Sequence, residues 1–507
     1  MFIFRRTILL FSSLAVVATF CPQLRSTESA KGTVAVEKLT LADAIQRALA
    51  KNFSIKRSEF DVSIARAHVT EQLGIFDPKL TGSYNNSGSE NPQLINSITG
   101  LRPAAIAERN DTYSLGLGGL LPWGLNYSVS ANSTNARDSS SLPFDNFASF
   151  AGISGRQPLL RDFGVGATMA QIRIAMTNRH ISEWQFRQSI IDTITSVIFA
   201  YYDLAFAQAR LRSVMESRDL AAQLVEENTK RFHIGSISEF EVTSARAGLA
   251  SREDGILQAR QAIADGQNQF KALITDDHTA RLLNWQIEIE EPALPPVALV
   301  NPAQDFIVAL KQRPDYQQAV LAVKRNDISH RYQLNQLLPR VDLVGRYGYN
   351  GYDTNSAVSR RMVQDSDYRA YSYGLEVTVP LSSTAERGRY RAARLQLRQS
   401  ELDLQSLEQQ IVVRIGNLAG DIETAYKRVQ VTQMARTLGH NMLDAEIKRL
   451  RTGNGSTFYV LQQQQELSFQ EIAEAAALND YQKALAEYDR QMGVTLEKLN
   501  LSIEVPK

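Results

Sequence analysis

The sequence predicts a mixed membrane fold, a β-barrel joined to a wall of long α-helices, with duplicated strand-pair and long-helix halves. Three observations predict it. Short segments alternate strictly between apolar and polar residues. Proline-free stretches of about 65 residues carry heptad seams. Landmarks of the first half recur, in order, in the second.

Composition sets the frame. The chain has 507 residues, is 44% hydrophobic and carries a net charge of +1, so nothing global points to nucleic acid. The single Cys21 excludes an internal disulfide. Histidines His68, His180, His233, His278, His330 and His440 are scattered, which argues against a metal site. No nucleotide loop and no nucleophile constellation is present, so no cofactor and no enzymatic activity are expected.

Residues 1–30 read as an export signal. Arg5 and Arg6 precede an apolar run from Ile8 to Phe20 that is too short to span a bilayer. Cleavage after Ala18 and cleavage nearer Ser29 both remain open. Cys21 stands where a lipidated cysteine would stand, but Phe20 before it argues against lipidation. No later run approaches the ~20 apolar residues of a membrane helix. The mature chain is therefore either soluble or crosses a membrane as a barrel.

The first repeat is expected over 31–275. It comprises helices over 41–75, strands over 79–160, a long helix over 166–232 and a helix over 237–274. Thr40 with Asp43 is a helix start. Leu125, Tyr127, Val129 and Ala131 alternate with Asn126, Ser128, Ser130 and Asn132, and Pro122-Trp123-Gly124 before them reads as a turn that adds a hairpin. In the long helix, Ile190, Thr193, Val197, Ala200, Leu204, Ala207, Leu211 and Val214 step by three and four. A second stripe, Ile191, Ile194, Ile198, Tyr201 and Ala205, runs beside it. Two adjacent seams mean packing on two neighbours, as in a wall of helices. At 1.5 Å per residue such a helix is a rod of about 100 Å.

Residues 276–302 read as a linker punctuated by Pro292, Pro295, Pro296 and Pro302. The second repeat follows over 303–499: helices over 303–337, strands over 340–382, a long helix over 386–451 and a helix over 457–492, then a tail over 500–507. Val341, Leu343, Gly345, Tyr347 and Tyr349 share one face, and Asp342, Val344, Arg346, Gly348 and Asn350 share the other. An apolar face with tyrosines near its ends, opposite a polar face of small residues, is the lipid-out and water-in pattern of an outer-membrane barrel. The expected total is six strands, four before the linker and two after it. Ile411, Ile415, Leu418, Ile422, Ala425 and Val429 form the second half's seam.

The duplication rests on ordered matches. Ala48-Leu49 and Pro78 recur 261 residues later, Pro158-Leu159 and Gly166 recur 222 later, and Phe232, Gly235, Phe240 and Val242 have counterparts 218 later. The drop between the first two offsets implies an insertion in the first half's strand region.

These features resemble the TolC-like outer membrane efflux protein family across the mature chain. The resemblance is carried by "LTLADAIQRALAKNF" at 39–53, Pro78 and Pro339, "QPLLRDFG", "VPLSSTAERG", "RFHIGSISEFEV" at 231–242 and "RLRTGNGSTFYV" at 449–460. It implies a TolC-like homotrimer, a membrane β-barrel plus long α-helical barrel, in the cell outer membrane and spanning into the periplasm. It also implies a channel that serves as passive exit duct of a tripartite efflux or type I secretion system, with a periplasmic adaptor (membrane fusion) protein and an inner-membrane transporter as partners. Gly235 and Gly453 stand where long helices reverse, where glycine supplies positive φ without strain. The resemblance makes these tips, Gly235, Ser236, Ser238, Gly453, Asn454 and Ser456, the adaptor-docking and closing end. It places an acidic link at Glu241 and an acidic ring at Tyr459 and Gln462, where this chain has no acid. The expected gate is therefore aromatic, of Phe458 and Tyr459, with Glu241 retained and Gln462 beside them. Packing of Tyr459 inside its own hairpin is the plainer alternative. Gln462–Gln465 is expected to face solvent at a turn. The competing reading of the whole chain is a secreted trimeric coiled-coil scaffold or adhesin stalk, which would explain the seams but not the strands.

Overall fold

The computed structural model describes residues 36–93, 98, 100, 105–138, 145–290, 293–297 and 300–502. The expected export signal, with Cys21, lies outside the described residues.

Strand β1 (Val36–Leu39) leads into α1 (Leu41–Lys51), which Thr40 caps by accepting the Asp43 N–H at 3.2 Å. Asn52 ends α1 and caps α2 (Phe53–Leu73): its Oδ1 accepts the Ser54 N–H at 2.8 Å while its amide donates to the Leu273 carbonyl. Four long strands follow, β2 (Lys79–Asn91), β3 (Ile106–Leu120), β4 (Asn126–Asp138) and β5 (Asn146–Pro158). The long helix expected over 166–232 is two helices. A short α3 (Gly164–Thr168) precedes α4 (Ala170–His233), whose 64 residues make a rod of about 96 Å. Helix α5 (Glu239–Ile274) returns along it.

Helix α6 (Arg281–Asn284) and strand β6 (Gln286–Ile289) occupy part of the expected linker, and β6 pairs in parallel with β1. This small sheet covers the cluster around Ile191, Ile194 and Phe270. Then come α7 (Pro302–Gln312) and α8 (Pro314–Asn335), separated at Arg313 because the residue before a proline is held out of helical geometry. Strand β7 (Arg340–Asp353), helix α9 (Ser356–Gln364) and strand β8 (Tyr368–Thr378) fill the region expected as strands alone. Asn355 starts α9 by accepting the Ala357 N–H at 2.9 Å. The helix folds back over β7, where the Ser359 hydroxyl donates to the Gly351 carbonyl at 3.0 Å. Helices α10 (Thr384–Arg451, 68 residues), α11 (Thr457–Met492) and α12 (Thr495–Lys498) complete the chain.

The long helices pack along their seams. Ile190, Ile191, Ile194, Val197 and Leu204 of α4 are buried, as are Ile411, Ile415, Leu418 and Ile422 of α10 against Tyr481 and Tyr488 of α11. The six long strands form one antiparallel sheet in the order β2-β3-β4-β5-β7-β8. Its register aligns Leu80, Leu117, Val129, Ile153, Tyr347 and Tyr371 in one continuous row, and all six are exposed. A half-buried sheet of a soluble protein would cover that row. The β3–β4 hairpin over Leu121–Leu125 lies inside the sheet, and its Trp123 carbonyl accepts the Gly164 N–H at 3.2 Å.

Candidate functional site

Two helix reversals mark one end of the molecule. Each uses the same backbone arrangement. Gly235 (φ 76°) donates to the Phe232 carbonyl at 2.9 Å and Ser236 to the Arg231 carbonyl at 2.9 Å. Gly453 (φ 77°) donates to the Leu450 carbonyl at 3.3 Å and Asn454 to the Arg449 carbonyl at 3.0 Å. This is a Schellman closure, which satisfies the last carbonyls of the helix and demands a left-handed residue. Ser456 then caps α11 by accepting the Phe458 N–H at 3.2 Å, whereas the Ser238 side chain makes no cap bond to α5.

Phe458 and Tyr459 lie edge-on to one another, ring centroids 5.7 Å apart, and are 63% and 54% exposed. Tyr459 therefore does not pack inside its own hairpin. Gln462 is exposed on α11 and Glu241 is half-buried in the first turn of α5. The glutamines do not form a turn: all four lie on α11, and Gln464 is only 3% exposed.

Polar links between the two hairpins run through residues that the sequence did not single out. Asn228 donates to Thr457 Oγ1 at 3.1 Å, and Arg231 donates to the Leu450 carbonyl at 3.3 Å. Arg252 donates from Nε to Ser217 Oγ (2.9 Å), from Nη1 to the Gly248 carbonyl (2.9 Å) and from Nη2 to the Leu461 carbonyl (3.2 Å). Burial pushes the Arg252 guanidinium below its usual pKa. No link passes through Glu241 among the described residues.

At the other end, the polar face of the sheet has its own charge pattern. Asp342, fully buried, accepts from Arg156 at 3.1 Å and Arg340 at 2.8 Å, and Arg156 also meets Glu376 at 2.8 Å. Farther along the same face the Arg346 guanidinium carbon lies 3.7 Å from the Phe150 ring centroid. Among the described residues no three His, Cys, Asp or Glu side chains gather as a metal site would need.

The model of the outer membrane efflux protein family matches residues 44–275 and 308–494. The alkaline protease secretion protein AprF of Pseudomonas aeruginosa is 23% identical over 201 residues. That match spans 39% of this chain and 41% of that relative's length. Solved structures align over nearly the whole chain. The CmeC outer membrane channel of Campylobacter jejuni gives a TM-score of 0.65 at 16% identity, covering 91% of this chain and 90% of that one. The outer membrane protein VceC of Vibrio cholerae gives 0.65 at 17%, covering 89% and 96%. The open MtrE outer membrane channel of Neisseria gonorrhoeae gives 0.63 at 16%, covering 90% and 89%. At these identities the likeness shows the fold.

Proposed function

Because the chain belongs to the outer membrane efflux protein family, we propose that three copies of it assemble into the passive exit duct of a tripartite efflux or type I secretion system. Membership makes it an outer-membrane channel reaching into the periplasm, and not an enzyme. The finer reading is carried by one observation, the six-stranded sheet with an exposed apolar row and, among the described residues, two unpaired edges, β2 and β8. An open edge in lipid leaves backbone groups unsatisfied, so such a sheet must close. With an even number of strands the two edges run antiparallel, which lets β8 of one copy pair with β2 of the next. Exposed apolar residues along α10, among them Leu395, Leu402, Val431 and Leu438, would be covered in the same assembly. A coiled-coil stalk has no use for the sheet.

The two tips fit a periplasmic end that meets an adaptor and closes, with an energised inner-membrane transporter beyond it. Their matched hydrogen bonding supports a division into duplicated repeats, 31–275 and 303–499. Phe458 and Tyr459 project from their hairpin, as an aromatic constriction requires. The test is mass measurement of the detergent-extracted protein together with planar-bilayer recording. A trimer with discrete conductance steps is expected; a monomer, or a trimer that never conducts, would return the reading to a stalk.

A further inference from the structure

Resting on the reading of the sheet as a channel wall, we propose that Arg346 is an anion-contact site in the barrel lumen, taking carboxylate or phosphate groups of the passing cargo. The argument begins with what surrounds it. Its row across the polar face is Lys79, Gly118, Ser128, Ser154, Arg346 and Ser372. The next two rows outward, Thr81 to Ala370 and Ser83 to Tyr368, contain no carboxylate, and neither does the row from Leu120 to Gly374 on the other side. The nearest acid along β7, Asp342, is four residues away, about 13 Å of strand and beyond a physiological Debye length. That acid is already taken by Arg156 and Arg340. Arg346 makes no ion pair among the described residues and is exposed.

The side chain is also held. Phe150, a large apolar residue on a mostly polar face, is only 6% exposed. Its ring lies over two glycines: a Cβ on Gly348 would fall 2.6 Å from the ring, and one on Gly152 would fall 2.5 Å from it. The glycines thus make room for the ring, and the ring makes a platform for the guanidinium. A guanidinium stacked on an aromatic face keeps its N–H edge free. That edge matches the two oxygens of a carboxylate or phosphate, and stacking has already restricted its rotamers. A cation meant only for solubility needs no such seat. Arginines on pore walls favour anions in the same way.

The test is equilibrium binding of the trisulfonated dye pyranine to the purified full-length protein in detergent at low salt. Arg346→Met should weaken binding about tenfold, the loss of one charge-assisted contact. Arg346→Lys should retain part of it, because the charge stays but the fork and the stack do not. Phe150→Leu should weaken binding with the charge intact. Arg361→Met removes an equal charge from exposed α9 and should change nothing. Equal binding by wild type and Arg346→Met, or an equal loss in Arg361→Met, would overturn the assignment. Bilayer recordings on the same preparations separate the two readings. Conductance with no Arg346-dependent dye binding removes this site alone. Arg346-dependent binding with no conductance removes the channel reading.

Discussion

Replacing Arg252 by alanine should loosen the periplasmic end, and the structure sets the size of the effect. The guanidinium makes three hydrogen bonds, but they are not equivalent. Those to Ser217 and Gly248 stay within the α4–α5 hairpin, so they persist if the two hairpins part. Only the bond to the Leu461 carbonyl crosses to α11. A conformational equilibrium responds only to contacts that differ between its states. One charged-donor bond is worth about 1.5–3 kcal/mol, so Arg252→Ala should raise the open-to-closed ratio by roughly 10- to 100-fold. Arg231→Ala removes a second arginine cross-link near the tips, to the Leu450 carbonyl, and the double variant should exceed either single one. The assay is the open probability of single channels in planar bilayers, with Lys230→Ala, an exposed pair with Glu226 within α4, as the control. An open probability unchanged in Arg252→Ala and in the double variant would show that these links do not hold the hairpins together.

Tyr459→Ala should make the channel leakier if the aromatic pair forms the constriction; a channel that stays closed, and opens instead with Glu241→Ala, would move the lock to the other hairpin. Valine at Gly235 or Gly453 forces a β-branched residue into φ near 76°, at a cost of about 1–2 kcal/mol; export should fail while trimers remain in the membrane, and normal export would refute the role of the tips. Burial raises the Glu487 pKa, but hydrogen bonds from Arg490 and Gln491 and the Arg490 charge outweigh it, so the carboxyl is held below its usual range. A depressed carboxylate contributes stability above its unfolded pKa of about 4.3 and loses it as pH falls through the folded value. Resistance to thermal unfolding should therefore fall in acid, and Glu487→Gln should be less stable at neutral pH with a shallower acid loss; parallel pH curves for the two proteins would refute this.

The parts legible in the sequence are those whose signal is local. Alternation marks β4 and β7 because a strand's side chains change face at every residue. Pro122-Trp123-Gly124 stands between alternating runs and forms the hairpin turn, with Gly124 at φ 96°. The seam from Ile411 to Val429 is buried along its length for the same reason, periodicity within one helix. What stayed hidden depends on partners far away in the chain. Strands β1 and β6 are four residues each, too short to show a period, and pair across about 250 residues. Helix α9 interrupts a region rich in strand signals because Asn355 caps it and Gly351 leaves room for it. Arg252 reads as one more charge on a polar helix until Leu461, 209 residues on, is placed beside it. Phe150 looks like an error of alternation until Gly152 and Gly348 are seen beneath its ring.

In the proposed trimer the extra hairpin would set the width of the barrel apart from that of the tips. Three six-stranded sheets would close with eighteen strands, and at 4.8 Å spacing and a 40° tilt that gives a barrel about 36 Å across between backbones. Two strands fewer per copy would give about 24 Å by the same geometry. The added strands β3 and β4 stand on no long helix of their own; their turn rests against the start of α3 through the Trp123 carbonyl. In the proposed trimer the wall would therefore widen where no helix requires it, and the proposed gate at the tips would be the narrow point. Current is limited by the narrowest section, so substitutions at Tyr459 should govern conductance. Arg346 would face a lumen too wide for one side chain per copy to obstruct. In a channel opened by Tyr459→Ala, adding Arg346→Met should leave the conductance of simple salts nearly unchanged while dye binding falls. A large drop in salt conductance from the second substitution would mean that the barrel is narrower than six strands per copy allow, and that the added hairpin does not widen it.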